Sequence, residues 1–253
     1  MKNIFFRILF LVLLTSCASK KDILYIQDAD VNNSSNIIYQ NATIQPNDIL
    51  KITVETLVPQ AAVPYNRGTS SGAQVNSLEL IKLNGYLVEN NGSISFPVLG
   101  EINVSNLTTF EVGEKVKELL VLGGHLNKPS VDVRLLNAKI TILGEVNTPG
   151  TYNFTEQNIT IFQALGYAGD LTINGKRDDI IITRDVNGLR TISHIDLTST
   201  DFMSSEFYFI KPNDTIIVNP NNPRVKNAGF VGNVGTVLTI ASLLLSSIIL
   251  LTR

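Results

Sequence analysis

From Gly229 to Leu251 the chain runs for 23 residues without a charged side chain. A water-soluble domain has few places for such a segment. As an α-helix rising ~1.5 Å per residue it is about 35 Å long, enough to cross a hydrocarbon core of ~30 Å. Arg224 and Lys226 flank it on one side and Arg253 on the other. Gly232, Gly235, Thr239, Ser242 and Ser246 recur inside it at spacings of 3, 4, 3 and 4, which puts them on one stripe of a helix. Val237, Leu238, Ile240, Leu244, Leu245, Ile248 and Ile249 cover much of the remaining surface. Small residues let helix backbones approach closely in a membrane, and Ser or Thr can hydrogen-bond across the contact. The stripe reads as a pore or helix-packing seam. The alternative is a simple anchor whose small residues are incidental.

The other end also points to a membrane. Lys2 and Arg7 precede an unbroken apolar run, Ile8 to Leu14, and then Thr15, Ser16 and Cys17. A basic start, a short apolar core and small residues describe a secretory signal. The core is far shorter than the ~20 apolar residues of a spanning helix. Leu14-Thr15-Ser16-Cys17 resembles a lipobox, in which the cysteine is acylated and becomes the mature N-terminus. Cys17 is the single cysteine of 253 residues, which favours lipidation over a plain signal peptide with an incidental thiol. Ala18 and Ser19 follow it in place of an inner-membrane retention aspartate, which favours the outer membrane.

These two ends account for the composition. Charged residues are 17% of the chain, against about 25% in ordinary soluble proteins. Twenty basic and 22 acidic side chains give a net charge of −2, so there is no basic excess to displace the counterions of nucleic acid. One cysteine excludes an intramolecular disulfide, and with only His125 and His194 a zinc site is not expected.

Between the ends, the Asn/Ser-rich residues 17–37 read as a lipidated flexible tether. Ile44-Gln45-Pro46-Asn47-Asp48 reads as a turn leading into a strand at Ile49–Val54. Residues 58–77, with Pro59, Pro64, Gly68 and Gly72, read as a loop or insertion. Tyr86–Val88 and Ile94–Pro97 around Asn90-Asn91-Gly92 read as a hairpin. Thr108 to Glu111 fits a capping box for a helix that buries Val112, Val116, Leu119 and Leu120 and ends at Gly123-Gly124. A strand over Val131–Leu135 follows. A second unit opens at Lys139 with a strand over Ile140–Leu143, then Gly144-Glu145-Val146 and a turn over Asn147–Gly150. A second capping box, Thr160 to Gln163, starts a short helix stopped by Gly169. Further strands are expected over 180–183, 191–195 and 215–218. Lys211-Pro212-Asn213-Asp214 echoes the turn at Asp48, as a reused turn and not a repeat array. Residues 221–228 form a hinge.

The sequence carries no Gly-rich phosphate loop, no G-x-S-x-G and no H-E-x-x-H. His125 reads as a surface histidine. His194 lies before Asp196, yet no nucleophile can be argued for beside it. Asp178-Asp179 reads as solvated. No catalytic residue, metal ligand or cofactor site is assigned.

Four segments together resemble the outer-membrane polysaccharide export family, the Wza-type translocons. Ile44-Gln45-Pro46-Asn47-Asp48-Ile49 looks like that family's pGD motif, with Asn47 where Gly is usual. Asn91-Gly92-Ser93-Ile94-Ser95-Phe96-Pro97-Val98-Leu99-Gly100 is similar to its dG-x-i-x-lP-x-lG. Lys128-Pro129-Ser130-Val131-Asp132-Val133 is the third. Gly144-Glu145-Val146, Pro149-Gly150, Ala164-Leu165 and Ala168-Gly169-Asp170 resemble the soluble-ligand-binding β-grasp (SLBB) domain. The resemblance covers about residues 38–220.

It implies an α+β fold: a signal peptide over 1–16, an export domain over 38–137, one SLBB domain over 138–220 and a transmembrane helix over 229–251. It further implies a homo-oligomeric ring of outer-membrane lipoproteins that conducts capsular polysaccharide or exopolysaccharide. The energy would come from an inner-membrane polysaccharide co-polymerase with a tyrosine kinase. A glycan-binding or scaffold lipoprotein with a simple C-terminal anchor is the competing class. A hydrolytic enzyme is the third, and the missing site chemistry disfavours it.

Overall fold

The computed structural model describes residues 23–30, 37, 39–67, 77–186, 188–221 and 234–251. The first domain grows out of the turn at Gln45–Asp48. Pro46 fixes one central position, and Asn47 takes a positive φ of 71° at the next. That conformation favours Gly and tolerates Asn, which explains the departure from the pGD pattern. The chain then enters β1 (Ile49–Glu55), whose buried residues Leu50, Ile52 and Val54 alternate with outward ones. Two short helices follow, α1 (Pro59–Ala62) and α2 (Leu78–Leu83), with a 3₁₀ turn at Val63–Tyr65. The loop expected over 58–77 is therefore partly helical: Pro59 and Pro64 sit in first turns, where a missing N–H costs nothing.

β2 (Tyr86–Leu87) pairs with β1, while β3 (Ser93–Phe96) pairs with β4 (Gly100–Asn103). This corrects the expected hairpin. Asn90–Gly92 does turn the chain, with Gly92 N–H donating to Glu89 O at 2.8 Å. The strand pairing, however, is made across the Pro97–Leu99 tip. Helix α3 (Thr109–Leu122) has the expected cap: Thr108 Oγ1 accepts from Glu111 N, and the Glu111 carboxylate accepts from Thr108 N at 2.7 Å. It buries Val112, Gly113, Val116 and Leu120. Strand β5 (Ser130–Leu135) completes an antiparallel sheet of order β2-β1-β5.

The second domain is a mixed sheet of order β10-β9-β12-β6-β7. Its strands are β6 (Lys139–Gly144), β7 (Gly150–Asn153), β9 (Gly175–Val186), β10 (Leu189–Ile195) and β12 (Thr215–Pro220). The small pair β8 (Ile159–Thr160) and β11 (Phe209–Ile210) lies beside helix α4 (Ile161–Tyr167), which the Thr160–Gln163 capping box opens. Helix residues Ile161, Ala164 and Leu165 pack with Ile140, Ile142, Ile180, Ile182 and Ile216 into one core. The last strand β12 inserts between β6, to which it is parallel, and β9, to which it is antiparallel. Gly144 permits this. Its φ is +92°, and a Cβ there would stand 2.0 Å from Val218 O of β12. Leu135 packs against both domain cores and joins them.

Two further expectations change. Residues 23–30 fall in the expected tether but are seated on the second domain. Ile26 N donates to Leu197 O at 3.1 Å and Gln27 N to Thr198 O at 2.7 Å. The C-terminal helix α5 runs over Val234–Leu251, 18 residues and about 27 Å. Of the spanning helix expected over 229–251, residues 234–251 are helical, and residues 229–233 lie outside the described residues. Among the described residues no helix is long and apolar enough to cross a membrane.

Candidate functional site

Cys17 and Gly232 lie outside the described residues. Gly235, Thr239, Ser242 and Ser246 are all on α5, and all are exposed. At 100° per residue they share one narrow stripe. Their hydroxyls turn back on the helix: Thr239 Oγ1 donates to Gly235 O at 2.8 Å, Ser242 Oγ to Thr239 O at 2.9 Å and Ser246 Oγ to Ser242 O at 2.8 Å. The protons are committed within the helix, so the stripe needs no water and no neighbouring acceptor. It presents low relief, which suits close approach of another helix. Leu238, Ile240, Leu243 and Leu250 stand exposed on the same helix.

Two concave sites lie in the domains. The first, about 660 Å³, opens at one edge of β1 beside α1 and α2. Its walls are tied structurally. Asn66 accepts from Val54 N and donates to Val54 O, both at 2.8 Å, so its amide substitutes for a neighbouring strand. Arg67 lies 4.2 Å from the centre of the Tyr86 ring and donates to Ser95 O at 2.7 Å. The second, about 500 Å³, lies between the domains. Val133, Leu135, Ala138 and Pro212 give it apolar surface; Asn41, Asp132, Arg134 and Glu156 give it donors and acceptors. The sequence did not reveal this groove, because its walls come from segments far apart in the chain.

The two Pro-Asn-Asp turns are structurally equivalent and electrostatically different. Asp48 Oδ2 accepts from Gln45 N at 2.9 Å, and Asp214 Oδ2 from Lys211 N at 2.8 Å. Asn213 repeats the positive φ of Asn47, at 69°. Asp214 is clasped by Arg184, with Nη2–Oδ2 at 2.7 Å and Nε–Oδ1 at 3.0 Å. Asp48 has no such cation among the described residues. It is 4% exposed, and burial pushes its carboxyl up to about 6 from an ordinary 3.8. The folded state therefore holds that proton more tightly than the unfolded chain does. This favours folding at low pH, and the advantage is lost as pH rises from 3.8 through 6. At ~1.36 kcal/mol per pKa unit the ionised group costs roughly 3 kcal/mol at neutral pH. Asp48→Asn keeps an acceptor for Gln45 N and removes the charge. Denaturant melts are expected to show it about 2–3 kcal/mol more stable than the parent at pH 7.5 and level with it near pH 4. A less stable variant at pH 7.5 would contradict the burial account.

His194 pairs with Asp179 at 2.5 Å, not with Asp196, and Lys176 donates to the same carboxylate at 3.0 Å. The hydrogen bonds of Asp179 with His194 and Lys176 lower its pKa, so it is not simply solvated. His125 is exposed, as expected, with its ring 6.0 Å from that of Tyr65. Among the described residues no group of three His, Cys, Asp and Glu side chains is placed to hold a metal.

Comparison with known proteins matches these two domains in order. Residues 38–136 match the family described as polysaccharide biosynthesis/export protein, and residues 139–191 match the SLBB domain. The sheet continues to Pro220, so the folded domain outruns the second match. The chain is 33% identical over 104 residues to the EPS I polysaccharide export outer membrane protein EpsA of Ralstonia solanacearum, covering 40% of this chain and 27% of that protein. It is 34% identical over 96 residues to the exopolysaccharide production protein ExoF of Rhizobium meliloti, covering 36% and 23%. The matched segments thus span about a quarter of each relative. The chain thus carries a polysaccharide biosynthesis/export domain over residues 38–136 followed by an SLBB domain over residues 139–191.

Proposed function

We propose that this protein is a lipid-anchored subunit of an outer-membrane conduit for exopolysaccharide or capsular polysaccharide. The observation that carries this reading is the ordered pair of export and SLBB domains, followed by an apolar helix with a small-residue stripe. Relatives named as polysaccharide export outer membrane proteins support the substrate class and the membrane.

In this reading the signal peptide covers 1–16 and Cys17 carries the acyl chains. The subunits close into a ring with their α5 helices packed along Gly235, Thr239, Ser242 and Ser246. The chain acts without catalysis, and an inner-membrane co-polymerase and its tyrosine kinase drive the polymer through it. Deleting the gene is expected to abolish surface polysaccharide while polymer accumulates inside the cell, and the wild-type chain restores export. Undiminished surface polysaccharide in the deletion strain would remove the transport role.

A further inference from the structure

The strand register gives the second domain two unlike ends. The export domain joins at the start of β6, next to the start of β12, where Thr215 faces Thr141. The far end of the sheet is made by the end of β12 and the start of β9, where Pro220 faces Gly175. Beside that far end lies the loop 170–174, and both ends of the folded chain attach to it. Tyr25 Oη donates to Asp170 Oδ1 at 2.6 Å. Asn221 N donates to Asn174 O at 2.7 Å, and its side chain donates to Ile173 O at 3.2 Å.

The N-terminal attachment is extensive. The Tyr25 ring meets Phe162 edge-on at 5.5 Å and lies 5.0 Å from the Arg177 guanidinium. Asp28 accepts from Thr200 N at 2.8 Å and from Thr200 Oγ1 at 2.9 Å. Arg177 is buried and forms no salt bridge among the described residues. Its charge therefore sits at the same pole.

We infer that residues 23–30 are a clasp that holds this pole of the SLBB domain against lipid, with Ile173 in the headgroup layer. The inference rests on the lipoprotein reading above. Six steps of chain join Cys17 to Ile23, and at ~3.3–3.6 Å each they reach at most about 22 Å. Once the clasp is seated, an acylated Cys17 cannot leave the pole far from the membrane. Ile173 is 68% exposed there, an apolar side chain with nothing of its own domain over it. The occupant is a lipid surface because that is where the outgoing N-terminal chain ends.

The test uses the full acylated chain in phosphatidylethanolamine–phosphatidylglycerol vesicles containing nitroxide-bearing lipid. Cys17 is consumed by acylation, so one fluorophore can be placed at Ile173→Cys or, as the distal control, at Leu57→Cys beyond the far end of β1. Quenching at 173 is expected to be at least threefold that at 57. In Tyr25→Ala/Asp28→Ala the chain should still float with the vesicles, while quenching at 173 falls to the control. Equal quenching at both sites in the floating parent overturns the inference and leaves the anchored reading standing. Undiminished quenching in the double variant overturns the clasp. A parent chain that fails to float overturns the anchored reading and the inference with it.

Discussion

Arg184→Ala is expected to destabilise the SLBB domain by about 3–5 kcal/mol, enough to unfold a typical domain of marginal stability. The guanidinium is 5% exposed and its Asp214 partner 0%. Besides the two-point contact with Asp214, it donates to Glu206 O at 3.1 Å and Phe209 O at 2.9 Å, and it lies 4.5 Å from the centre of the Phe207 ring. Removing it strands the buried Asp214 carboxylate and the buried Phe209 carbonyl together, and unpaired buried charge is what makes such losses large. Burial already pushes the Asp214 carboxyl up, against the pull of Arg184. Without Arg184 the carboxyl should take up a proton more readily, so the penalty should shrink as pH falls. Arg184→Met combined with Asp214→Leu removes both charges and should recover much of the loss. Urea melts that place Arg184→Ala within 1 kcal/mol of the parent would show that the Arg184–Asp214 pair contributes little.

The second large effect concerns assembly. Gly235→Leu with Ser242→Leu adds two bulky side chains to the stripe without adding charge or shortening α5. If the stripe is the contact between subunits, backbones can no longer approach, and at least a tenfold loss of oligomer and of surface polysaccharide is expected. Ile240→Ala, about 130° round the helix from the middle of the stripe and exposed, serves as the control and should assemble normally. Oligomers and export that survive the stripe variant would leave α5 as a simple anchor.

The sequence made the local rules readable. Two capping boxes, the alternating burial of β1 and the paired Pro-Asn-Asp turns follow from chemistry within three to seven residues, and each is in the structure. What lay beyond reach depended on distant partners. The Asn-Gly turn is local, but whether β3 pairs backward with β2 or forward with β4 is decided by β1, which takes β2 for its own edge. Residues 23–30 looked like part of the tether because their contacts with Asp170, Leu197 and Thr200 lie roughly 145 to 172 positions away. His194 was read against its neighbour Asp196, whereas in a strand pair the facing chain supplies the partner, here Asp179. The interdomain groove and the Asp48–Asp214 contrast likewise appear only when strands far apart in the chain meet.

The most direct test of the conduit is the native mass of the acylated protein extracted in mild detergent. A single closed assembly, a whole-number multiple of the processed subunit with no ladder of smaller species, is the result expected of a ring. A chain that remains monomeric at every concentration and in every detergent tried would contradict it.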